Sequence, residues 1–323
     1  MRRPDRFLTG WAFSFQKRRI MKNILLLVLF LLIPENAKAA DVIQARLLQS
    51  GFFNIYAPTH IDTDLLVGGW PTQNDIGPDK IYRLQSSQLL APAFAKPGFH
   101  VNDPSVIRHP DYGWYFMYYT ALPNNYATAS EMTRHNYTGF ASSIDGVNWT
   151  DHGVILDQWN GLDNFGAWSP AAIVVGREIW LYFHANAPGT MVYRARLNIN
   201  GWQLLETSYV KFLDFTFMRT NVHVFQRNGR FEMLANSSDL KQIWRYASQD
   251  GIRWVDADAG KPIVDASKTS ALVLTPYGVP VGNNLLDVYF GWAGNGSTSD
   301  SLHVWTITDS APCSRAGILN QWQ

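Results

Sequence analysis

The sequence predicts an all-β protein, a five-bladed β-propeller spanning residues 40–323. Three observations carry this prediction. A repeat near fifty residues runs along the chain, each repeat holds an aromatic strand between polar turns, and no amphipathic stretch of helical period exceeds two turns. The aromatic strands fall at 65–70, 114–119, 179–184, 231–235 and 286–292. Each is followed by a further strand, at 81–86, 137–143, 192–197, 243–248 and 302–307. Polar turns close most of these strands at Asp145, Asn200, Asp250 and Asp309, which lie 55, 50 and 59 residues apart, close to the period of a four-stranded blade. Asp-Gly and Asn-Gly are strong hairpin signals because both residues tolerate the positive φ of a tight turn. The tryptophans that follow, Trp149, Trp202 and Trp254, are expected to pack between blades.

Before the aromatic strand lies an apolar strand with a polar start, at 102–107, 168–174, 220–225 and 270–274. In a propeller this is the innermost strand, so its entry end meets the central funnel. The segment that follows the N-terminal region is expected to close the ring by joining the blade of the C-terminal strands, which protects both sheet edges. A two-sheet sandwich is the alternative architecture, and the five-fold period argues against it.

Residues 1–39 read as a secretory signal with an upstream extension. Lys22 is followed by ten unbroken apolar residues at 24–33, and Ala37-Lys38-Ala39 supplies the small residues of a cleavage site. Ten apolar residues are too few to span a bilayer, which takes about 20 in a helix. The mature protein is therefore expected to be periplasmic or secreted, with no membrane span. Its single cysteine, Cys313, excludes an intramolecular disulfide. With 27 basic and 26 acidic side chains the chain carries a formal charge of +1, which gives no electrostatic footprint for nucleic acid. The high aromatic content suits both a propeller core and a sugar-stacking surface. Composition leaves the oligomeric state open.

The residues at the inner-strand entries are the candidate site. These are Asn102 and Asp103, Trp168 and Ser169, Arg219, Thr220, Asn221 and His223, and 268–270 in the last blade. Asp103 is read either as a reacting carboxylate or as a strand-entry cap and hydrogen-bond acceptor. Trp168 stacks on a sugar or fills the space between blades. Arg219 grips an anionic sugar through its planar fork or makes a surface ion pair. His223 is read chiefly as a satisfied funnel histidine. His109, His135 and His184 also stand isolated, so neither a metal nor a cofactor is called for.

At these residues the chain resembles the five-bladed glycosidases of families 43, 32 and 68. The resemblance rests on Asn102-Asp103-Pro104 followed by the aromatic run 115–119, on Trp168-Ser169-Pro170, and on the hairpin from Ser143 through Asp145-Gly146 to Trp149. It covers residues 43–309 and implies a carbohydrate partner, with Asp103 as general base or nucleophile and Asp145 as a turn residue only. Glycoside hydrolysis uses two carboxyl groups. The family places a second Asp at the start of the third-blade strand and an acidic Glu on the fourth. Here 217–223 and 269–273 hold no carboxylate. Glu131, Asp163 and Asp265 are the remaining candidates for the acid, none of them at a family position. Two functions follow: a glycosidase using Asp103, or a non-catalytic propeller that binds a glycan during exopolysaccharide assembly or export.

Overall fold

The computed structural model describes residues 42–52, 54–70, 78–86, 88–125, 135–156, 166–185, 191–213, 219–282, 284–293 and 300–308. The expected signal lies outside these residues, as do Glu131 and Asp163. All of the described residues belong to one compact unit, Ala39–Gln323.

Among the described residues, twenty-two strands form five sheets, antiparallel except for one short parallel edge, and no helix occurs. The first strand, β1 (Val42–Phe52), belongs to the last blade. Blade one holds β2 (Asn54–Ile61), β3 (Asp64–Trp70), β4 (Lys80–Gln85) and β5 (Gln88–Phe94). Blade two holds β6 (Phe99–Arg108), β7 (Tyr115–Pro123), β8 (Tyr137–Ser143) and β9 (Thr150–Leu156). Blade three holds β10 (Trp168–Val175), β11 (Glu178–Ala185), β12 (Met191–Asn198) and β13 (Leu204–Tyr209). In blade four the linker strand β14 (Lys211–Phe212) adds a parallel outer edge to β15 (Arg219–Arg227), β16 (Arg230–Ser237), β17 (Gln242–Ser248) and β18 (Arg253–Asp256), while β19 (Val264–Asp265) pairs with β17. Blade five is β20 (Leu272–Val281), β21 (Leu285–Ala293), β22 (Asp300–Thr308) and then β1, paired from Val42↔Ile307 to Phe52↔Asp300. The expected ring closure is therefore present.

The aromatic strands are second in each blade; β7 and β16 are buried on both faces, β7 along Tyr115–Leu122, whereas β21 alternates buried and half-buried residues from Leu285 to Tyr289. Burial on both sides explains why β7 and β16 read as near-continuous apolar runs rather than as an alternation. The apolar clusters lie between blades. One joins Tyr118 and Phe140 to Leu181 and Phe183, the next joins Tyr182 to Met233 and Tyr246, and others join Leu234 to Phe290, Leu66 to Met117, and Val67 to Leu302. Each blade thus buries its faces against its neighbours all the way around the ring.

The hairpin turns latch adjacent blades. The Tyr118 hydroxyl donates to the carbonyl of Gly201 at 3.0 Å, and Tyr182 donates to that of Gly251 at 2.9 Å. Gly251 has φ 69°, and a Cβ there would sit 2.6 Å from both the Tyr182 hydroxyl and the Trp180 ring, so only glycine permits the contact. Trp254 follows Gly251 by three residues and is fully buried. Trp202 follows Gly201 directly and is 53% exposed, yet its ring packs against blade two as expected, 6.0 Å from that of Phe140 and 6.3 Å from that of His152.

Candidate axial site

Each innermost strand carries the same irregularity. The pairing slips between Tyr56 and Thr59, Asn102 and Ser105, Trp168 and Ala171, Thr220 and His223, and Leu274 and Tyr277. Inside each slip one residue is left-handed: Ala57 (φ 51°), Asp103 (48°), Ser169 (51°), Asn221 (47°) and Thr275 (36°). These are β-bulges, and bulges re-aim side chains beside functional sites. Proline follows four of the five bulge residues, as Pro58, Pro104, Pro170 and Pro276. Proline has no N–H, so the disrupted ladder leaves no buried donor there.

Two residues beyond each bulge a second ring ties the blades together. Thr59 Oγ1 accepts from the N–H of Val106 at 3.2 Å, Ser105 Oγ from that of Ala172 at 2.9 Å, and His223 Nδ1 from that of Gly278 at 3.0 Å. The backbone of His60 bonds the Tyr277 hydroxyl in the same way. Ala171 occupies the third place in this ring and has no acceptor to offer.

Bulges and ring together wall a small, half-open depression of about 20 Å³, room for about one water molecule. It is walled by Ala57, Asp103, Ser169, Val222, His223, Thr275 and Tyr277 among others. Among the described residues, Asp103 supplies the one carboxyl group in this wall. Thr120 Oγ1 donates to its Oδ2 at 2.8 Å and accepts from the Ser169 N–H at 2.8 Å, which fixes the Thr120 hydroxyl proton on the carboxylate. Burial pushes the Asp103 carboxyl up to about 6, the Thr120 bond opposes this, and the neighbouring charge of Asp79 adds to it. Asp79 stands behind Asn102, whose Nδ2 donates to Asp79 Oδ2 at 3.1 Å, and it does not line the depression.

His223 lines the wall but is held neutral: burial, with His60 nearby, lowers it to about 3. Its Nδ1 accepts from Gly278, so Nε2 carries the proton. The ring packs 4.0 Å from that of Tyr277. Ser169 Oγ donates to Asn221 Oδ1 at 3.3 Å across the next blade boundary, although Asn221 itself is not among the residues that wall the depression.

Other expected site residues fall elsewhere. Arg219 is buried inside blade four, with its guanidinium 4.8 Å from the Trp244 ring centre and its Nε bonded to the Tyr246 hydroxyl, because the slip at Thr220 to His223 turns Asn221 and not Arg219 toward the axis. Asn102 and Trp168 each precede a bulge and are not among the residues that wall the depression. Asp265 is exposed on β19, where bonds from Ser267 and Gln242 hold it below the usual carboxylate range, the reverse of what an acid requires. In blade five the axial residue is Thr275, not 268–270. Ala57-Pro58 and Thr275-Pro276 escaped sequence reasoning, and the repeated residue-proline step inside an apolar strand was the available signal.

No family model matches the chain, and no curated protein matches it in sequence. Solved structures do. An α-L-arabinofuranosidase from Lactobacillus brevis superposes with a TM-score of 0.56 at 14% identity, over 79% of this chain and 92% of that one. A family 117 glycoside hydrolase of the marine bacterium Zobellia galactanivorans gives 0.58 at 14% identity, over 86% and 93%. The chain has the fold of the five-bladed glycosidases. An N-acetylgalactosamine deacetylase from F. plautii, in complex with blood group B trisaccharide, gives 0.59 at 11% identity, over 84% and 94%. The five-bladed glycosidase fold thus also carries a different reaction in that protein.

Proposed function

We propose that the protein is an exported glycoside hydrolase acting on a poly- or oligosaccharide, with Asp103 as its general base. The observation that carries this assignment is Asp103 itself, a carboxyl group at the axis, oriented by Thr120 and poised near pH 6. A base with that proton affinity is ionised at neutral pH yet strong enough to take a proton from water. Carbohydrate as the substrate class agrees with the activities for which the structural neighbours are named. Export agrees with the apolar run at 24–33 and the small residues before Ala40.

A second assignment, a glycan-binding propeller without catalysis, draws support from the other four bulge positions. Ala57, Ser169, Asn221 and Thr275 are all unable to serve as a second carboxyl. The purified chain and Asp103→Asn, Glu131→Gln and Asp163→Asn variants should be incubated with arabinan, xylan, galactan and bacterial exopolysaccharides, scoring product release and binding. A hydrolase loses about 10²–10⁴-fold in turnover on Asp103→Asn while still holding its glycan. Product release unchanged in that variant removes Asp103 from the reaction, and binding without any product supports the second assignment.

A further inference from the structure

At three blade boundaries among the described residues, a backbone hydrogen bond recurs two residues before the bulge. The N–H of Val101 donates to the Asp79 carbonyl at 3.0 Å, that of Ala167 to Asn136 at 2.8 Å, and that of Val273 to Leu240 at 2.7 Å. The accepting residues stand at corresponding places, one or two positions before the third strand of the preceding blade (β4, β8 and β17). Asparagine and leucine serve beside Ser169 and Thr275, so the contact itself needs no charge. Of the three, the carboxylate stands beside Asp103.

Asp79 holds that strand entry by more than its carbonyl. Its N–H donates to His100 Nδ1 at 3.1 Å and its Oδ2 accepts from Asn102 Nδ2 at 3.1 Å, so it bonds each of the three residues that lead into Asp103. Gly68, in the same blade as Asp79, admits the strand this closely: a Cβ there would lie 3.1 Å from Asn102 Cβ and 3.3 Å from the Asp103 nitrogen. A left-handed aspartate occupies a sparsely populated conformation, which persists where its surroundings over-determine it. The side chain of Asp79 also brings an opposing effect, because neighbouring buried carboxylates resist each other's ionisation. Asparagine at position 79 would accept from Asn102 without that penalty. The other titratable groups in the wall, His223 and Tyr277, are held neutral by burial, and His100 meets the Asp79 N–H with its bare Nδ1. The charge acting on Asp103 is therefore that of Asp79, and it favours the protonated carboxyl.

We propose that Asp79 is the positioning residue of the base: it clamps the strand entry from which Asp103 turns to the axis and sets a second negative charge behind it. This rests on the assignment of Asp103 above and adds what tunes that group. The mature chain labelled with ¹³C-aspartate is titrated from about pH 3 to 9, and the Asp103 carboxyl signal is identified by its loss in Asp103→Asn. Asp79→Asn keeps an acceptor for Asn102, so it should melt as the parent does while the Asp103 midpoint falls below the parent's. Asp79→Glu retains the charge and should bring the midpoint back toward the parent's. A purely structural Asp79 would change melting and not the midpoint. Asp79→Ala drops the bond to Asn102 as well, and its Val101 N–H should exchange with solvent faster than that of Asp79→Asn by about tenfold or more. If Asp79→Asn does not fold, Asp79→Ser, whose hydroxyl is also an acceptor, reads the same midpoint. An Asp103 midpoint equal in parent and Asp79→Asn, or Val101 exchange equal in Asp79→Ala and Asp79→Asn, overturns the proposal and leaves the assignment of Asp103 untouched. Turnover unchanged in Asp103→Asn removes the base itself, and Asp79 then positions no reacting group.

Discussion

Asp103→Asn is expected to make the folded protein more stable above pH 6 and to leave its stability unchanged near pH 4. The folded-state carboxyl titrates at about 6 against an ordinary value of 3.8, with burial as the main cause. The folded chain therefore binds this proton more tightly than the unfolded chain. That contribution to stability is complete below 3.8 and is lost as pH rises through 6. A gap of about two pKa units corresponds to about 3 kcal/mol, and the residual exposure of Asp103 to the depression lowers this to about 2 kcal/mol by screening. Asparagine keeps the shape and can still accept from Thr120, but carries no charge to desolvate. Urea denaturation should find the variant about 2 kcal/mol more stable than the parent at pH 8, and equal within about 0.5 kcal/mol at pH 4. The parent's kcat/KM should meanwhile fall as pH drops through about 6, where the base takes up its proton. Stability curves of parent and variant that run parallel from pH 4 to 8 would refute the account of Asp103 as a carboxylate ionised against burial.

Thr120→Val removes the donor that favours the ionised carboxyl, so the acid limb of the pH profile should move above 6, as measured by kcat/KM between pH 5 and 8. Tyr182→Phe deletes the latch between blades three and four and leaves the Gly251 carbonyl unpaired, for an expected loss of about 1–3 kcal/mol in urea melts. In blade four, Arg245 pairs with Asp258 at 2.6 Å, with both side chains almost fully buried. Arg245→Met strands that carboxylate and should cost about 3–5 kcal/mol, whereas the double change Arg245→Met with Asp258→Leu should recover most of the loss.

The ring was legible because its second strands are largely buried, several of them on both faces, and so appear in the sequence as five aromatic runs at a steady period. The axis was legible only where a polar residue marked it. Asp103-Pro104 and Ser169-Pro170 stand out, whereas Ala57-Pro58 begins with an apolar residue and Thr275-Pro276 lies inside a run that reads as uninterrupted strand. Arg219 looked axial because it opens a polar run, but the register slip two residues later decides which side chain turns inward, and sequence does not display a slip. His184 looked isolated for a similar reason. Its partner, Trp168, is set by cross-strand pairing over a hairpin and lies sixteen residues earlier in the chain.

The seam in blade five joins residues 248 to 265 positions apart in the chain, the longest sequence separation in the ring. Contacts of that span form late, because loop-closure entropy is spent before they give anything back. Thr275, Pro276 and Tyr277, which wall the axial depression, belong to the blade that this seam completes. Assembly of the site is therefore tied to the synthesis of β22. A translation product that stops short of Asp300 leaves β1 as an open strand edge, prone to pair with other chains, and cannot hold Asp103 in a closed ring. Closure of the axial site and synthesis of β22 become one event, and a chain interrupted before it lacks both the closed ring and its stability.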